Sequence, residues 1–167
     1  MLRRFMRKSG GTILLMRYAR GFALIELLIS IAIIMILATM TYGVFYTTNT
    51  RKALDTDALK VVTKLREARS LTLAAKNDRE WGIHLASTSI TLFEGSSYDS
   101  ESSSNIVVKL NPLVTLSSTL QGDGSDVIFE RLSGDTAQYG TTTVSLIASS
   151  TVARTIIIYE TGVVEMQ

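Results

Sequence analysis

An isolated acid inside a long apolar run is the feature of this 167-residue chain most suited to unusual chemistry. Residues 22–46 read FALIELLISIAIIMILATMTYGVFY, and Glu26 is the only charged residue among them. A charged side chain at bilayer depth costs on the order of 3 kcal/mol even on lenient insertion scales. Because no Lys, Arg or His lies between Phe22 and Tyr46, Glu26 has no cationic partner within this run. We therefore expect its partner to come from another copy of the chain.

The other chemically versatile residues do not form a catalytic motif. The chain has no cysteine and a single histidine, His84. This composition excludes thiolate chemistry and multi-histidine metal sites, and it leaves a Ser-His-Asp triad without support. No glycine-rich phosphate loop follows a predicted strand and opens a helix. We expect His84 to lie on a strand face, and the sequence predicts a protein that is not an enzyme and has no cofactor.

Two polar segments are weaker candidates for binding. Residues 121–126 are rich in oxygen-bearing side chains and include Asp123 and Asp126, which could in principle hold calcium. The segment lacks the full EF-hand spacing and its terminal glutamate, so a turn between strands is the favoured interpretation. The serine-rich residues 96–104 surround Tyr98 and Asp99 and predict a mobile surface loop, with a contact loop as the alternative.

The basic residues are distributed unevenly along the chain. Residues 1–21 contain six Lys or Arg and no acid, whereas residues 22–167 contain 11 basic and 15 acidic residues, a formal charge of −4. The apolar run is long enough, at about 1.5 Å rise per residue, to span a hydrocarbon core of about 30 Å. Basic residues beside a membrane helix stay in the cytoplasm, so the rest of the chain should lie outside. The run is too long for a secretory signal peptide, whereas a simple N-terminal anchor remains an alternative.

The residues around Glu26 also carry a family resemblance. The segment from Arg20 to Ile29 combines a basic leader, a glycine, an aromatic residue and an acid five positions after the glycine. It resembles the prepilin processing site of type IV pilins and type II secretion pseudopilins. The resemblance implies cleavage by a prepilin peptidase after Gly21, N-methylation of Phe22 and an assembly role for Glu26. In that role, the Glu26 carboxylate of one copy would neutralise the new N-terminal amine of its neighbour.

The sequence departs from this family in its leader and at one position of the motif. Ala23 stands where the family commonly has threonine, and the 21-residue leader is longer than the usual short basic leader. Initiation at Met16 instead of Met1 would give a compact leader of residues 16–21, and we keep this as an alternative start.

The resemblance also implies an organisation of the whole chain. It predicts a leader at residues 1–21, a transmembrane assembly helix at 22–46, an amphipathic continuation at 47–76 and an extracytoplasmic β-rich head at 77–167. One helix is expected from about Phe22 to about Ala75, ended by residues 76–78. After residue 50 the apolar spacing alternates between four and three residues, which predicts a face packed on the sheet of the head. That face consists of Leu54, Ala58, Val61, Leu65, Ala68 and Thr72.

The remainder of the chain predicts strands joined by short polar turns. The expected fold class is α+β, with the long helix packed on a mainly antiparallel sheet or sandwich. The order of strands and glycine turns resembles that of the minor pseudopilin H family. The predicted strands are 81–85, 90–93, 106–110, 127–129, 143–147, 155–159 and 163–165.

These patterns predict a minor pilin or pseudopilin subunit of a type II secretion pseudopilus or a type IV pilus. Its implied partners are other pilins or pseudopilins, the prepilin peptidase, the inner-membrane assembly platform and the lipid bilayer. The expected location is the bacterial inner membrane, with a single span, a cytoplasmic N-terminus and a periplasmic head, and then the filament. One alternative is a DNA-binding minor pilin of a competence pilus, in which Arg131 and Arg154 would contact phosphates. The acidic mature charge disfavours nucleic acid as a partner. Another alternative is a membrane-anchored module that never polymerises.

Overall fold

The computed structural model describes the backbone of residues 13–167 and the side chains of residues 23–40 and 48–167. The first twelve residues of the predicted leader, including Met1, lie outside this description, as do the exposure of Gly21 and the side chain of Phe22. The chain divides into two compact units, residues 1–47 and residues 48–167. We call the second unit the head unit, since it contains every strand of the described chain.

A single helix, α1, runs from Ile13 to Leu73. It begins nine residues before the expected start at Phe22, so the second half of the predicted leader is helical. This is consistent with the Leu, Met, Arg and Ala content of residues 13–20, because all four residue types favour helix. At its other end, the helix stops two residues before the expected Ala75. Ala75 has a left-handed backbone (φ 48°) and leads into a short 3₁₀ turn at Lys76–Asp78, which confirms the predicted stop.

The strands of the head unit form two four-stranded sheets in which every pair is antiparallel. Sheet A has the order β3-β2-β1-β5 and sheet B the order β4-β6-β7-β8. The predicted α+β fold with a mainly antiparallel sandwich is thereby confirmed. The strands are β1 (Trp81–Leu85), β2 (Ser89–Glu94), β3 (Ile106–Lys109), β4 (Val114–Leu120), β5 (Asp126–Phe129), β6 (Gly140–Leu146), β7 (Ser149–Ile158) and β8 (Val164–Met166).

Strand β4 is the one that sequence reasoning missed. Its sequence, VTLSSTL, alternates in burial, with Val114, Leu116 and Leu120 buried. Ser118 takes the remaining inward position and is only partly buried, so the strand lacks the dense β-branched apolar run that marks the others. The pattern of period two is nevertheless present.

The hydrophobic core of the head unit forms between α1 and the strands. The whole predicted helix face is fully buried, with each of its six residues 0% exposed. The strands contribute to the same cluster with residues such as Ile83, Leu92 and Ile156. Every buried core residue of the described chain lies between Leu54 and Val164. The head unit therefore contains its complete core, which predicts that residues 48–167 fold on their own.

Polar contacts fix the helix to both sheets. The Trp81 N–H of β1 donates to Thr72 Oγ1 at 3.0 Å, which joins the end of the helix face to sheet A. The Arg66 guanidinium donates to the Val164 carbonyl of β8 at 3.0 Å. Arg69 donates to the carbonyl oxygens of Gly134 and Thr161, each at 3.1 Å. These bonds satisfy backbone acceptors at the loops and at an edge of sheet B.

A buried carboxylate that the sequence analysis did not single out makes a further link. Asp57 is 1% exposed. Its Oδ2 accepts from the Asn111 N–H at 2.6 Å, and its Oδ1 accepts from Lys60 Nζ at 2.7 Å. Both oxygens are therefore paired, as a buried charge requires. Asp57 ties the helix to the connection between β3 and β4.

Candidate assembly segment and head surfaces

The N-terminal part of α1 contains a stretch that is apolar on all sides. Residues Ala23–Met40 are long and apolar enough to cross a membrane, and none of this window is buried within the protein. Twelve large apolar side chains of the window are between 41% and 68% exposed. A helix that is hydrophobic all round requires an apolar environment, which the described chain does not supply. We call residues 23–40 the apolar segment.

Glu26 lies in the first turns of the apolar segment and is exposed. The Ser30 hydroxyl donates to the Glu26 carbonyl at 2.7 Å, and the Thr39 hydroxyl donates to the Ile36 carbonyl at 2.8 Å. These two hydroxyls are thus satisfied within the helix. Among the residues whose side chains the structure describes, no ion pair includes the Glu26 carboxylate. The segment therefore presents one acid on an apolar surface.

Comparison with known proteins places a family motif on this segment. Residues 16–42 match the model of the prokaryotic N-terminal methylation motif. The match includes Gly21, Phe22 and Glu26, the three residues to which the resemblance assigned processing and assembly roles. A search of the curated proteins finds no match to the sequence.

Most of the chain is similar in fold to a solved pilin structure. The crystal structure of the type IV minor pilin FimU from Pseudomonas aeruginosa superposes with a TM-score of 0.53. The two sequences are 14% identical, and the likeness covers 68% of this chain and 92% of that chain. At this identity the likeness shows the fold, a long helix packed on antiparallel sheets. This chain is a type IV pilin-like protein.

The proposed calcium residues of the pilin-like head lie at a turn. Gly122 and Asp123 have left-handed backbones (φ 91° and 53°), and the Asp123 N–H donates to the Leu120 carbonyl at 3.2 Å. This geometry confirms the predicted turn, which connects β4 of one sheet with β5 of the other. Asp126 Oδ1 lies 2.6 Å from His84 Nδ1. Within the described residues, no group of three or more His, Asp or Glu side chains is arranged to hold a metal ion.

The two arginines predicted to contact DNA both form ion pairs. Arg131 pairs with Asp78, the last residue of the 3₁₀ turn that follows α1. Arg154 Nη2 lies 2.9 Å from Asp55 Oδ1, and its Nη1 donates to the Ala153 carbonyl at 3.2 Å. Each guanidinium is therefore close to a carboxylate that reduces its attraction for phosphate. The DNA-contact role stays a prediction, and this geometry does not favour it.

His84 lies on strand β1, as predicted, but it belongs to an aromatic cluster that sequence reasoning missed. Its ring stacks on Tyr98 with centroids 4.0 Å apart and ring planes 7° apart. Tyr98 also contacts Phe93, with centroids 5.5 Å apart. Tyr98 is the aromatic residue inside the serine-rich loop. An aromatic side chain among serines is the sequence signal that could have predicted this cluster. The loop lies on the surface as predicted, and Tyr98 anchors it to sheet A.

One ionisable group of the head is perturbed by a neighbouring carboxylate. The Tyr159 hydroxyl donates to Glu165 Oε2 at 3.0 Å. This hydrogen bond, together with the negative charge of Glu165, raises the pKa of Tyr159 because both favour the neutral phenol. The phenol therefore stays protonated at neutral pH and donates to the carboxylate, which joins the end of β7 to β8.

Proposed function

We propose that this pilin-like protein is a minor subunit of a type IV pilus or a type II secretion pseudopilus, and that it assembles through its apolar segment. The observation that carries this proposal is the exposure of residues 23–40, which form an all-apolar helix surface with one acid inside the prepilin methylation motif. Such a surface is stable in a bilayer or among the packed helices of a filament. This surface would contact lipid while the protein is anchored in the membrane. It would contact the helices of other subunits once the protein has entered the filament.

We propose a role for each of three residues of the motif. The prepilin peptidase would cleave between Gly21 and Phe22 and remove residues 1–21 as a leader. Phe22 would then carry the new, N-methylated amine. In the filament, the Glu26 carboxylate of one subunit would lie beside the amine of its neighbour, so that two charges that are costly in an apolar medium neutralise each other. This is consistent with the exposed Glu26 side chain, for which the described part of the chain provides no cation.

The proposed topology follows from the uneven charge of the chain. The basic leader would stay in the cytoplasm, residues 22–46 would span the inner membrane, and residues 77–167 would fold in the periplasm. Its partners would be other pilins or pseudopilins, the prepilin peptidase and the assembly platform. The fold is similar to that of a minor pilin, which favours a structural subunit over an enzyme.

Filament incorporation tests this function directly. An epitope-tagged chain is expressed in its own bacterium as wild type, as Glu26→Ala and as Ser30→Ala. Ser30 lies one turn from Glu26 on the same helix face, and its hydroxyl is satisfied by the Glu26 carbonyl. We expect all three to be cleaved after Gly21. Wild type and Ser30→Ala should enter sheared filaments, whereas Glu26→Ala should remain in the membrane fraction with incorporation reduced about tenfold or more, about the effect of losing 1.4 kcal/mol of assembly free energy.

The measurements are the mass of the processed N-terminus and the amount of tagged chain in sheared filaments. Wild-type protein that is never cleaved would contradict the processing role of Gly21. Equal incorporation of wild type and Glu26→Ala would contradict the assembly role of Glu26. Full biological function of a chain that stays monomeric in the membrane would support the anchored module instead. Deletion of the gene, scored separately for pili and for secretion, assigns the filament type.

A further inference from the structure

Two neighbouring connections of the head unit expose apolar side chains. Pro112 and Leu113 are exposed between β3 and β4, and Ile147 and Ala148 are exposed between β6 and β7. Leu113 is 38% exposed and Ile147 is 64% exposed. Turns usually contain Gly, Pro, Asn, Asp or Ser, so turn geometry accounts for Pro112 but not for the two large aliphatic residues. We call these four residues the apolar tip.

Hydrogen bonds fix the backbone of the apolar tip. The Ile147 N–H donates to the Leu113 carbonyl at 3.0 Å, which holds the two connections side by side. The Val114 N–H donates to the Asn111 carbonyl at 2.9 Å, and the Leu113 N–H donates to Asn111 Oδ1 at 3.0 Å. The Asn111 N–H in turn donates to the buried Asp57 at 2.6 Å. The head therefore holds the apolar side chains of the tip at its surface.

Two contacts show how β7 runs along α1. Arg66 of α1 donates to the Val164 carbonyl, and Val164 pairs with Ile158 of β7. Nearer the start of β7, Arg154 pairs with Asp55 of α1. Followed from Ile158 to Arg154, β7 therefore leads back along α1 towards the first residues of the head unit.

The apolar tip lies further in the same direction. Val144 of β6 pairs with Arg154. Ile147 lies three residues beyond Val144, a distance of about 10 Å along an extended strand. The same distance along a helix corresponds to about seven residues, counted here from Asp55. Measured along α1, the tip is therefore level with about residue 48, where the head unit begins.

The charge at this end of the head unit is basic, although residues 48–167 contain 11 basic and 14 acidic residues. Arg51 and Lys52, which we call the basic pair, are exposed, and no ion pair of the described residues includes either of them. Asp55 and Asp57, the nearest acids along α1, are both paired with other residues. Side chains on a helix lean towards its N-terminus, so the basic pair extends towards the start of the head unit.

From these observations we propose that the apolar tip inserts into the surface of an anionic lipid bilayer. This inference rests on the proposed function, in which the membrane span ends at Tyr46. Residue 48 then lies about 3 Å beyond the span, within a headgroup layer about 5–8 Å thick. At that level, the aliphatic side chains of the tip reach the boundary of headgroups and acyl chains, and the basic pair lies beside lipid phosphates.

Continuity and charge favour lipid over a second copy of the chain as the occupant. The tip is level with the first residues after the proposed span, so every anchored subunit brings it to the headgroups. The basic pair matches the negative surface of an anionic leaflet. Two tips that packed on each other would bring two basic pairs together, and like charges across an interface repel. The lipid contact orients the head on the bilayer and is broken when the subunit enters the filament.

The test uses the full chain in vesicles made of equal parts of phosphatidylcholine and phosphatidylglycerol. Because the chain has no cysteine, one fluorophore can be attached to Ile147→Cys or to the control Leu132→Cys. Leu132 is 85% exposed and lies in the β5–β6 connection, next to Arg131, which pairs with Asp78 beyond the end of α1. Lipids with a nitroxide near the top of the acyl chain should quench the label at 147 by about half or more, and the label at 132 by about a tenth or less. Equal quenching at the two positions would overturn the proposal.

Leu113→Ser tests the tip without changing the labelled position. In the labelled Ile147→Cys chain it should lower the quenching about twofold or more, because burial of the leucine side chain contributes to insertion. Val163→Ser is the matched control and should leave the quenching unchanged, since Val163 is 48% exposed in the β7–β8 connection. Quenching that is insensitive to Leu113→Ser would mean that the label inserts by itself, and the tip would lose its role.

The basic pair is tested by replacing both of its residues with glutamine. Arg51→Gln with Lys52→Gln should lower the quenching at position 147 about twofold or more, and vesicles of phosphatidylcholine alone should do the same to the wild-type pair. Lys76→Gln with Arg79→Gln changes two exposed basic residues beyond the end of α1 and should have no effect. Quenching that is independent of phosphatidylglycerol would contradict an anionic bilayer as the partner.

Flotation of the vesicles separates a failure of this inference from a failure of the proposed function. A chain that does not float with the vesicles would contradict membrane anchoring itself. A chain that floats while the label at 147 stays unquenched would overturn the tip contact alone. Shielding of this label from iodide that increases with the number of chains per vesicle, whatever the lipid, would identify a second copy as the occupant and overturn the lipid contact.

Discussion

Residues 23–40 and residues 54–72 belong to the same helix and are both rich in aliphatic side chains, but they are buried to opposite extents. In the first region, the large apolar side chains are exposed on every side of the helix. In the second, six residues at alternate spacings of four and three are completely buried against strands. The difference is the angular distribution of the apolar residues. A stripe finds its partner within the chain, whereas an all-round apolar surface requires an external partner.

The acids of the two regions differ in the same way. Asp57 is buried, and both its carboxylate oxygens are paired within the head unit. Glu26 is exposed on an apolar surface, and none of the described ion pairs includes it. A paired carboxylate fixes structure, whereas an unpaired one in an apolar surface selects a partner. The head unit therefore contains the partners of its own buried groups, and we propose that lipid or other subunits cover the apolar segment.

The strongest test of this comparison removes the same side chain from both regions. Leu65→Ala should lower the free energy of unfolding of the head by about 2–5 kcal/mol, because it leaves a cavity at a fully buried position. Leu28→Ala, at a position 66% exposed, should change it by less than about 0.5 kcal/mol. Urea unfolding of the full chain in detergent, followed by the fluorescence of the single, buried tryptophan Trp81, measures both. Comparable losses in the two variants would show that the segment packs on the head.

The second test replaces the acid of each region with alanine. Asp57→Ala should cost about 1–3 kcal/mol of head stability, because the Asn111 N–H loses its buried acceptor. Glu26→Ala should leave head stability unchanged within about 0.5 kcal/mol, although we expect it to prevent filament incorporation. The same unfolding measurement applies to both. A stable Asp57→Ala head would mean that water replaces the carboxylate, and a destabilised Glu26→Ala head would place Glu26 in the structure of the head.

Most of the architecture could be predicted from the sequence. A helix or strand that buries one face has apolar residues at regular spacings along the chain. The six-residue helix face was predicted residue by residue, and seven of the eight strands overlap their predicted ranges. Strand β4 was missed because Ser118 occupies an inward position, and the helix start was placed at Phe22 although α1 begins at Ile13. Helix propensity extends α1 back to Ile13 within the predicted leader, whereas the resemblance predicted only the helix of the processed chain.

The long-range contacts could not be predicted in the same way. Asp57 lies three residues after Leu54 and four before Val61, so its place on the buried face was readable from the spacing. Its partner Asn111 is 54 residues away and follows a strand whose position no local pattern fixes. The order of the strands in each sheet is likewise not contained in sequence periodicity. The residues of the proposed assembly site could be named from the sequence because they are local to one motif.

The smallest expected effect concerns the exposed face of the head half of α1. Asp55 lies four residues after Arg51 on the helix, yet its carboxylate pairs with Arg154 of β7. Both side chains are at least 40% exposed, so solvent screens the pair. A double-mutant cycle of Asp55→Ala and Arg154→Ala should give a coupling energy of about 0.2–1 kcal/mol that falls further in high salt. A coupling above about 2 kcal/mol would mean that this pair is shielded from solvent and fixes the helix to sheet B as firmly as Asp57 fixes it to the β3–β4 connection.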